Sequence, residues 1–283
     1  PWTDVWNFFL KTEVPEDCLP IGAIPTIAAS GSEMSGSCVI TNEDGWLKRG
    51  STRSDLCRPR FALLNPRLTY TLPQYQTESG CVDILMHTME RYFVNLETME
   101  ITDSISESLM QTVIYNARIL MKEPGNYNAR AEVMWAGSLS HNGLTGAGRV
   151  SDFATHKIEH ELGGMFDVAH GAGLASVWGS WARYVYKTNP GRFALFGEKV
   201  FGIDASQTSD SDITDTVLAS ITAWETWCHS IDMPTTLTEL GIYPTDAQIE
   251  EMAEKCVFGR NGHIGFFQPL TKEDIVAILQ MAK

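Results

Sequence analysis

Helical periodicity begins at Pro73 and continues to the C-terminus, and this feature most limits the folds open to the chain. Apolar residues recur there at the spacing expected of helices that bury one face. Thr271, followed by Glu273 and Asp274, is a typical helix start, and Pro73 suits a first turn. The predicted helices are residues 73–95, 102–122, 128–143, 152–163, 173–186, 191–201, 211–231, 246–257 and 271–282.

The residues before Pro73 have strand character instead. Apolar runs rich in β-branched residues occupy 21–27, 37–41 and 60–64, and the first two flank the small-residue turn AASGSEMSG. We therefore predict a mostly α protein. Residues 1–72 form a short β-containing segment, and residues 73–283 form an all-helical domain.

Composition excludes some partners. The chain has 283 residues, 43% hydrophobic and 20% charged, which is typical of a globular protein. A formal net charge of −14 without a basic cluster argues against nucleic acid or an anionic membrane surface as a partner. No apolar run approaches the roughly 18 residues of a transmembrane helix. The six scattered cysteines indicate reduced thiols and a cytoplasmic protein.

Two helical segments carry potential metal ligands at the same spacing. Asp83 and His87 are four residues apart, as are His156 and His160, so each pair shares one helix face. His170 follows in DVAHGAG, which is predicted to be a loop whose glycines turn the imidazole back toward the same point. Aspartate and histidines from separate helices suit Fe(II) or Zn(II), with a position left for substrate.

Spacing alone leaves the chemistry open. The zincin motif H-E-x-x-H is excluded, because it would place histidine where the chain has Gly164. A zinc hydrolase, a redox metal site and a structural metal site all remain compatible with these residues.

A family resemblance is carried by GCVDILMHTMERY and ATHKIEHELGGMFDVAHGAGLA, with IPTIAASGSEMS, FALLNPRLTYTLP and MPTTLTELGI in the same order. Together these segments resemble the iron-containing (group III) alcohol dehydrogenases, especially the butanol dehydrogenase-like branch. The resemblance runs from Ile21 to the C-terminus. It implies a dehydroquinate synthase-like fold, in which an α/β dinucleotide-binding domain precedes a helical metal-binding domain, and a homodimer.

The implied activity is the NAD(P)-dependent interconversion of aldehydes and primary alcohols, with a divalent metal polarising the substrate oxygen. The resemblance implies that Asp83, His87, His156 and His170 bind this metal, Fe(II) or alternatively Zn(II). It places His160 near the nicotinamide and the substrate, as the candidate for proton exchange.

The same resemblance assigns the remaining contacts to NADP or NAD. Small side chains let backbone N–H groups approach such a ligand closely. Arg49 is the alternative to Lys48 after a shift of one residue. The implied cofactor contacts are Thr26, Ser30, Gly31, Ser32 and Lys48.

The chain departs from the family in lacking a G-G-G-S-type pyrophosphate loop, and it begins with Pro1. It is therefore expected to be a fragment that retains only the end of the cofactor domain. One alternative is a dehydroquinate synthase-like lyase, although the metal-bearing segments hold few cations, Arg91 and Lys157. Another is a truncated, non-catalytic metal-binding chain. The resemblance places His141, in the Gly-rich segment SLSHNGLTGAG, near the substrate cleft, but His141 is expected to pack in the core or to end a helix.

Overall fold

The computed structural model of the protein describes residues 3–96, 99–204 and 213–283. Four short strands lie in the N-terminal quarter: β1 (Gly22–Ala23), β2 (Ser37–Asn42), β3 (Leu47–Thr52) and β4 (Phe61–Ala62). The helices are α1 (Trp6–Leu10), α2 (Ser54–Cys57), α3 (Gln74–Tyr92), α4 (Glu100–Lys122), α5 (Tyr127–His141), α6 (Ala154–Phe166), α7 (His170–Val185), α8 (Pro190–Phe201), α9 (Ile213–His229), α10 (Asp246–Val257) and α11 (Lys272–Met281). The prediction of a mostly helical protein with a small β-containing segment is confirmed.

The strands form two separate pairs. β1 and β4 are parallel, with Gly22 opposite Phe61, and β2 and β3 form an antiparallel hairpin. The predicted strand at 21–27 is much shorter than expected, because Pro25 has no N–H to donate to a sheet. β3 was not predicted. Its sequence LKRGST lacks an apolar run, and the strand exists through pairing with β2 across a turn at Gly45 and Trp46, both of positive φ.

Each predicted helix between 73 and 283 corresponds to an observed one, although residues 211–212 lie outside the described residues. The hydroxyl of the capping residue Thr271 accepts a hydrogen bond from the backbone N–H of Asp274, and the backbone N–H of Thr271 donates to the Asp274 carboxylate, which fixes the start of α11.

The predicted loop around His170 is wrong, because His170 is the first residue of α7. The chain reverses earlier, at Asp167, which ends α6 in a left-handed conformation with φ 52°. The glycines that follow His170 are packing positions, not turn positions. A Cβ on Gly171 would overlap the backbone carbonyl of Ser79, and one on Gly173 would press on Glu159.

The core lies between α3, α7, α8 and α9 and is rich in aromatic rings. Phe93 contacts Trp178, Trp181 and Phe193 at ring-centroid distances of 5.8, 6.0 and 4.6 Å. Contacts of this kind contribute about 0.5–1.5 kcal/mol each beyond the area that they bury. This core fixes α3 and α7 against each other, and these helices carry three of the predicted metal ligands. Within the described ranges, no helix has the length and apolar character needed to cross a membrane.

Candidate metal centre

Four predicted ligands from three helices meet at one point. Oδ1 of Asp83 lies 3.5 Å from Nε2 of His87, 3.7 Å from Nε2 of His156 and 3.6 Å from Nε2 of His170. Asp83 and His87 are one turn apart on α3, whereas α6 supplies His156 and α7 supplies His170. One ligand atom from each of the four residues lies within 4.8 Å of the other three.

The spacing of these atoms suits a divalent cation. Two ligand atoms bonded tetrahedrally to one metal at about 2.1 Å are about 3.4 Å apart. Asp83 Oδ1 and His156 Nε2 are buried and have no hydrogen-bond partner among the described residues. Buried polar atoms are normally paired, so the two unpaired atoms and their separation are both explained by an ion between them. The donor set fits the proposed metal.

Two of the predicted ligand histidines each form a hydrogen bond with a buried carboxylate. Glu90 of α3 accepts a hydrogen bond from Nδ1 of His156, and Glu159 of α6 accepts one from Nδ1 of His170. Both glutamate side chains are fully or almost fully buried. Such partners fix the tautomer, so that Nε2 of each ring presents its lone pair to the metal position.

The charges around the four ligands perturb one another. Burial alone would raise the pKa of Asp83, but the neighbouring His170 and His156 lower it to about 2. Burial acts against the charged form of His156, yet Glu90 and Asp83 raise its pKa to about 9. Burial, together with the adjacent imidazoles, lowers the pKa of His87 well below its usual value. The aspartate is therefore ionised across the physiological range, as a metal ligand must be.

His160 is separate from the group around Asp83. Its ring centroid lies 6.5 Å from that of His156 and 5.8 Å from that of His170. It forms a second group with Glu159 and His170, whose ligand atoms also lie within 4.8 Å of one another. Burial lowers the pKa of His160 well below its usual value, with His170 adding to the effect. The neutral imidazole lies beside the metal centre, and its Nδ1 has no partner among the described residues.

The predicted cofactor turn packs against His141, which itself contacts a predicted metal ligand. Gly31 is buried with φ 53°, and a Cβ there would come within 2.5 Å of the side chain of His141. The ring of His141 in turn lies 3.7 Å from that of His87. Thr26, Ser30 and Ser32 are exposed, so their hydroxyl groups are accessible to solvent.

The hairpin places Lys48 and Arg49 on opposite sides. Nζ of Lys48 lies 3.7 Å from Glu159 Oε2, next to the carboxylate that holds His170. Arg49 is buried, where it donates to Glu161 at 2.6 Å and to the carbonyl of Lys255 at 2.9 Å. Of the two candidates, Lys48 faces the metal centre, and Arg49 ties the hairpin to α6 and α10.

Sequence reasoning missed the roles of Glu90 and Glu159 at this centre. Glu90 and His156 are 66 residues apart, so no local pattern links them. Glu159 could have been found from the sequence, because it lies between His156 and His160 in HKIEHE. For His141 the sequence favours packing or helix termination, and the resemblance places it near the substrate cleft. It does end α5, and its ring also contacts a predicted ligand.

Comparison with known proteins identifies the family to which the chain belongs. The model of the Fe-containing alcohol dehydrogenase family, C-terminal, matches residues 77–283, and the model described as iron-containing alcohol dehydrogenase matches residues 2–66. The chain belongs to the iron-containing alcohol dehydrogenase family. It is an oxidoreductase, as the resemblance predicts.

This iron-containing alcohol dehydrogenase is similar to characterised relatives along almost its whole length. It is 34% identical to NADH-dependent butanol dehydrogenase A of Clostridium acetobutylicum over 278 residues, which are 98% of this chain and 70% of the relative. It is also 34% identical to the NADPH-dependent aldehyde reductase YqhD of Escherichia coli over 241 residues, 84% of this chain and 60% of the relative. The homologues act on alcohols and aldehydes.

A solved structure shows the same fold. The NADH-dependent butanol dehydrogenase A of Thermotoga maritima superimposes with a TM-score of 0.92 at 32% sequence identity. The superposition covers 99% of this iron-containing alcohol dehydrogenase and 70% of the solved chain. The predicted fold class is confirmed.

Proposed function

We propose that this protein is a metal-dependent, NAD(P)-linked alcohol dehydrogenase and aldehyde reductase that interconverts primary alcohols and aldehydes. The observation that carries the proposal is the unpaired Oδ1 of Asp83, surrounded at 3.5–3.7 Å by three Nε2 atoms. The relatives that use NADH or NADPH on butanol and on aldehydes support the reaction class.

Asp83, His87, His156 and His170 would hold the metal, which we propose to be Fe(II), in keeping with the family, with Zn(II) as the alternative. Three imidazoles and one carboxylate suit either ion. When bound, the metal would act as a Lewis acid on the substrate oxygen, and the nicotinamide would carry the hydride.

The residues of the chain would orient the reactants. Glu90 and Glu159 hold two of the ligand imidazoles in one tautomer. We propose that His160, neutral and next to His170, contacts the substrate or the nicotinamide and exchanges the proton. Thr26, Ser30, Gly31 and Ser32 would contact the cofactor from the turn, and Lys48 from β3.

Two measurements test the proposal. Anaerobically purified protein is analysed for metals, and the oxidation of NADH or NADPH by butanal is followed with and without a chelator. We expect about one Fe or Zn per chain and activity that the chelator removes. Asp83→Ala and His170→Ala are expected to lose the metal, whereas His229→Ala, at an exposed histidine of α9, keeps it. Full metal content in both ligand variants would refute the assigned site.

The proposal extends to the domain boundary, the oligomeric state and the location of the protein. We propose residues 1–72 as part of the cofactor domain and residues 73–283 as the metal domain; the two family models match on either side of this boundary. A homodimer is proposed from the family, and a cytoplasmic location from the free thiols of all six cysteines. Sedimentation of the purified protein and fractionation of cells test these two properties.

A further inference from the structure

The ring of His141 lies beside the predicted metal ligand His87, and one of its nitrogens is unpaired within the part of the chain that the structure describes. His141 is the last residue of α5, it is buried, and its ring centroid lies 3.7 Å from that of His87. Its Nε2 atom is shielded from solvent and has no hydrogen-bond partner among the residues that the structure describes. Because buried polar atoms are normally paired, this nitrogen requires a partner that the described residues do not supply.

The other ring nitrogen determines what Nε2 can do. Nδ1 of His141 lies 3.0 Å from the carbonyl oxygen of Gly137 and 2.8 Å from Oγ of Ser140. A carbonyl oxygen can only accept, so Nδ1 carries the proton; Ser140 itself donates to the same carbonyl at 2.8 Å. In a neutral imidazole only one nitrogen is protonated. Nε2 therefore presents a lone pair and acts as an acceptor.

The packing sets the direction of this lone pair. Gly31 covers the edge of the side chain formed by Cβ, Cγ and Nδ1, which leaves the edge that carries Nε2 facing away from the turn. The contact between the rings of His141 and His87 places the imidazole close to the predicted metal ligands. His141 is nevertheless not one of the four residues whose ligand atoms lie within 4.8 Å of one another. It adjoins the ligand set without belonging to it.

We propose that Nε2 of His141 accepts a hydrogen bond from the hydroxyl group of the alcohol substrate. This inference rests on the proposed function, because it requires an oxygen ligand beside the four metal-binding residues. An alcohol has an O–H to donate, and an aldehyde has none. His141 is therefore a substrate-binding residue that favours the alcohol over the aldehyde, and it sets the relative affinity of the enzyme for the two sides of its reaction.

The test uses the metal-loaded protein without nucleotide. Cobalt(II) replaces the native metal, because its visible spectrum changes when an oxygen ligand binds. The protein is titrated with 1-butanol, which can donate a hydrogen bond, and with dimethyl sulfoxide, which cannot. For His141→Leu we expect roughly three- to tenfold weaker binding of 1-butanol, the usual worth of one neutral hydrogen bond. Binding of dimethyl sulfoxide and the cobalt content are expected to stay unchanged.

Two further variants complete the design. His141→Gln keeps an acceptor oxygen on a chain of similar reach and is expected to recover most of the affinity for 1-butanol. His229→Leu removes an exposed imidazole at the end of α9, which pairs with Glu239. This variant is expected to bind both ligands like the parent.

Three outcomes would overturn the inference: unchanged binding of 1-butanol in His141→Leu, equal weakening for both ligands, or loss of cobalt from that variant. Failure of the parent protein to bind cobalt would instead refute the metal site itself, and with it the proposed function.

Discussion

Glu90 forms hydrogen bonds both with the first turn of α6 and with the ring of His156, a predicted metal ligand. One carboxylate oxygen accepts the backbone N–H of Thr155 at 2.7 Å, and the other accepts Nδ1 of His156. A single side chain of α3 thus caps α6 and orients an imidazole on it.

Replacing Glu90 by glutamine should therefore weaken metal binding. The amide has one acceptor oxygen for the two kinds of donor, and it carries no charge to polarise the ring. We expect a 10- to 100-fold rise in the metal dissociation constant, measured by competition with a chelator. Glu107→Gln is the matched control, since Glu107 accepts a bond from the hydroxyl of Tyr92 at 2.8 Å. Equal affinities in the two variants would contradict a role for Glu90 at the metal.

Gly31→Ala tests the contact between the turn and His141. A left-handed φ costs a non-glycine residue about 1–2 kcal/mol, and the added methyl group would also overlap the side chain of His141. We expect a loss of about 2–5 kcal/mol in the free energy of unfolding, measured with urea. Gly45→Ala is the control, because Gly45 has φ 82° and open space around it. If both variants lose the same amount, the turn does not press on His141.

Lys48 and Arg49 are expected to differ in what their removal affects. Arg49→Ala leaves the buried Glu161 without its cation, so we expect a loss of about 3–5 kcal/mol in the free energy of unfolding. Lys48 is partly exposed beside Glu159, and Lys48→Ala should mainly weaken NAD(P)H binding, measured by fluorescence titration. Unchanged nucleotide affinity in Lys48→Ala would remove this residue from the cofactor site.

Glu78 is expected to make stability depend on pH. Its carboxyl group is buried without a hydrogen-bond partner among the described residues, and burial raises its pKa to about 8. A raised pKa in the folded state means that stability is fully present below the unfolded pKa and is lost as pH rises toward 8, by up to about 1.4 kcal/mol per unit.

Glu78→Gln should remove this dependence. Chelator-treated protein is unfolded with urea at pH 5 and at pH 8, and the variant should be more stable than the parent by a few kcal/mol at the higher pH only. The exposed Glu132, replaced by glutamine, serves as the control. A gain of the same size at both pH values would show that Glu78 is not neutral in the folded protein.

His160→Gln should lower kcat without releasing the metal. The residue lies outside the four-ligand group, so metal content should match that of the parent, while butanal reduction slows by about 10²-fold or more if His160 exchanges the proton. Loss of metal together with activity would make His160 a ligand, and full activity would remove it from the reaction.

Much of the centre was predictable because helical spacing is a local property. The four-residue interval in Asp83 and His87, and again in His156 and His160, predicts a shared face, and the family resemblance separates His160 from the ligands. The start of α7 was not predicted because a glycine after His170 is compatible with two structures. It permits a turn, and it also permits close packing of two backbones. The close packing of Gly171 against Ser79 of α3 cannot be predicted from the local sequence.

The carboxylates and β3 were missed for a related reason. Glu90 gains its function from a histidine 66 residues away, and β3 becomes a strand only through its partner β2. Patterns along one segment do not contain these contacts, because they depend on how α3 and α6 pack and on how the hairpin closes.

The contact of Gly171 with the carbonyl of Ser79 has a consequence for how the site can vary. Ser79 lies one turn before Asp83, and Gly171 directly follows His170, so main-chain atoms touch beside two of the predicted ligands. In the proposed metal site, the approach of α7 to α3 is therefore limited by contact between two backbones. A methyl group at position 171 would overlap the Ser79 carbonyl, so a Gly171→Ala variant would have to move α7 away from α3, and with it His170 away from Asp83.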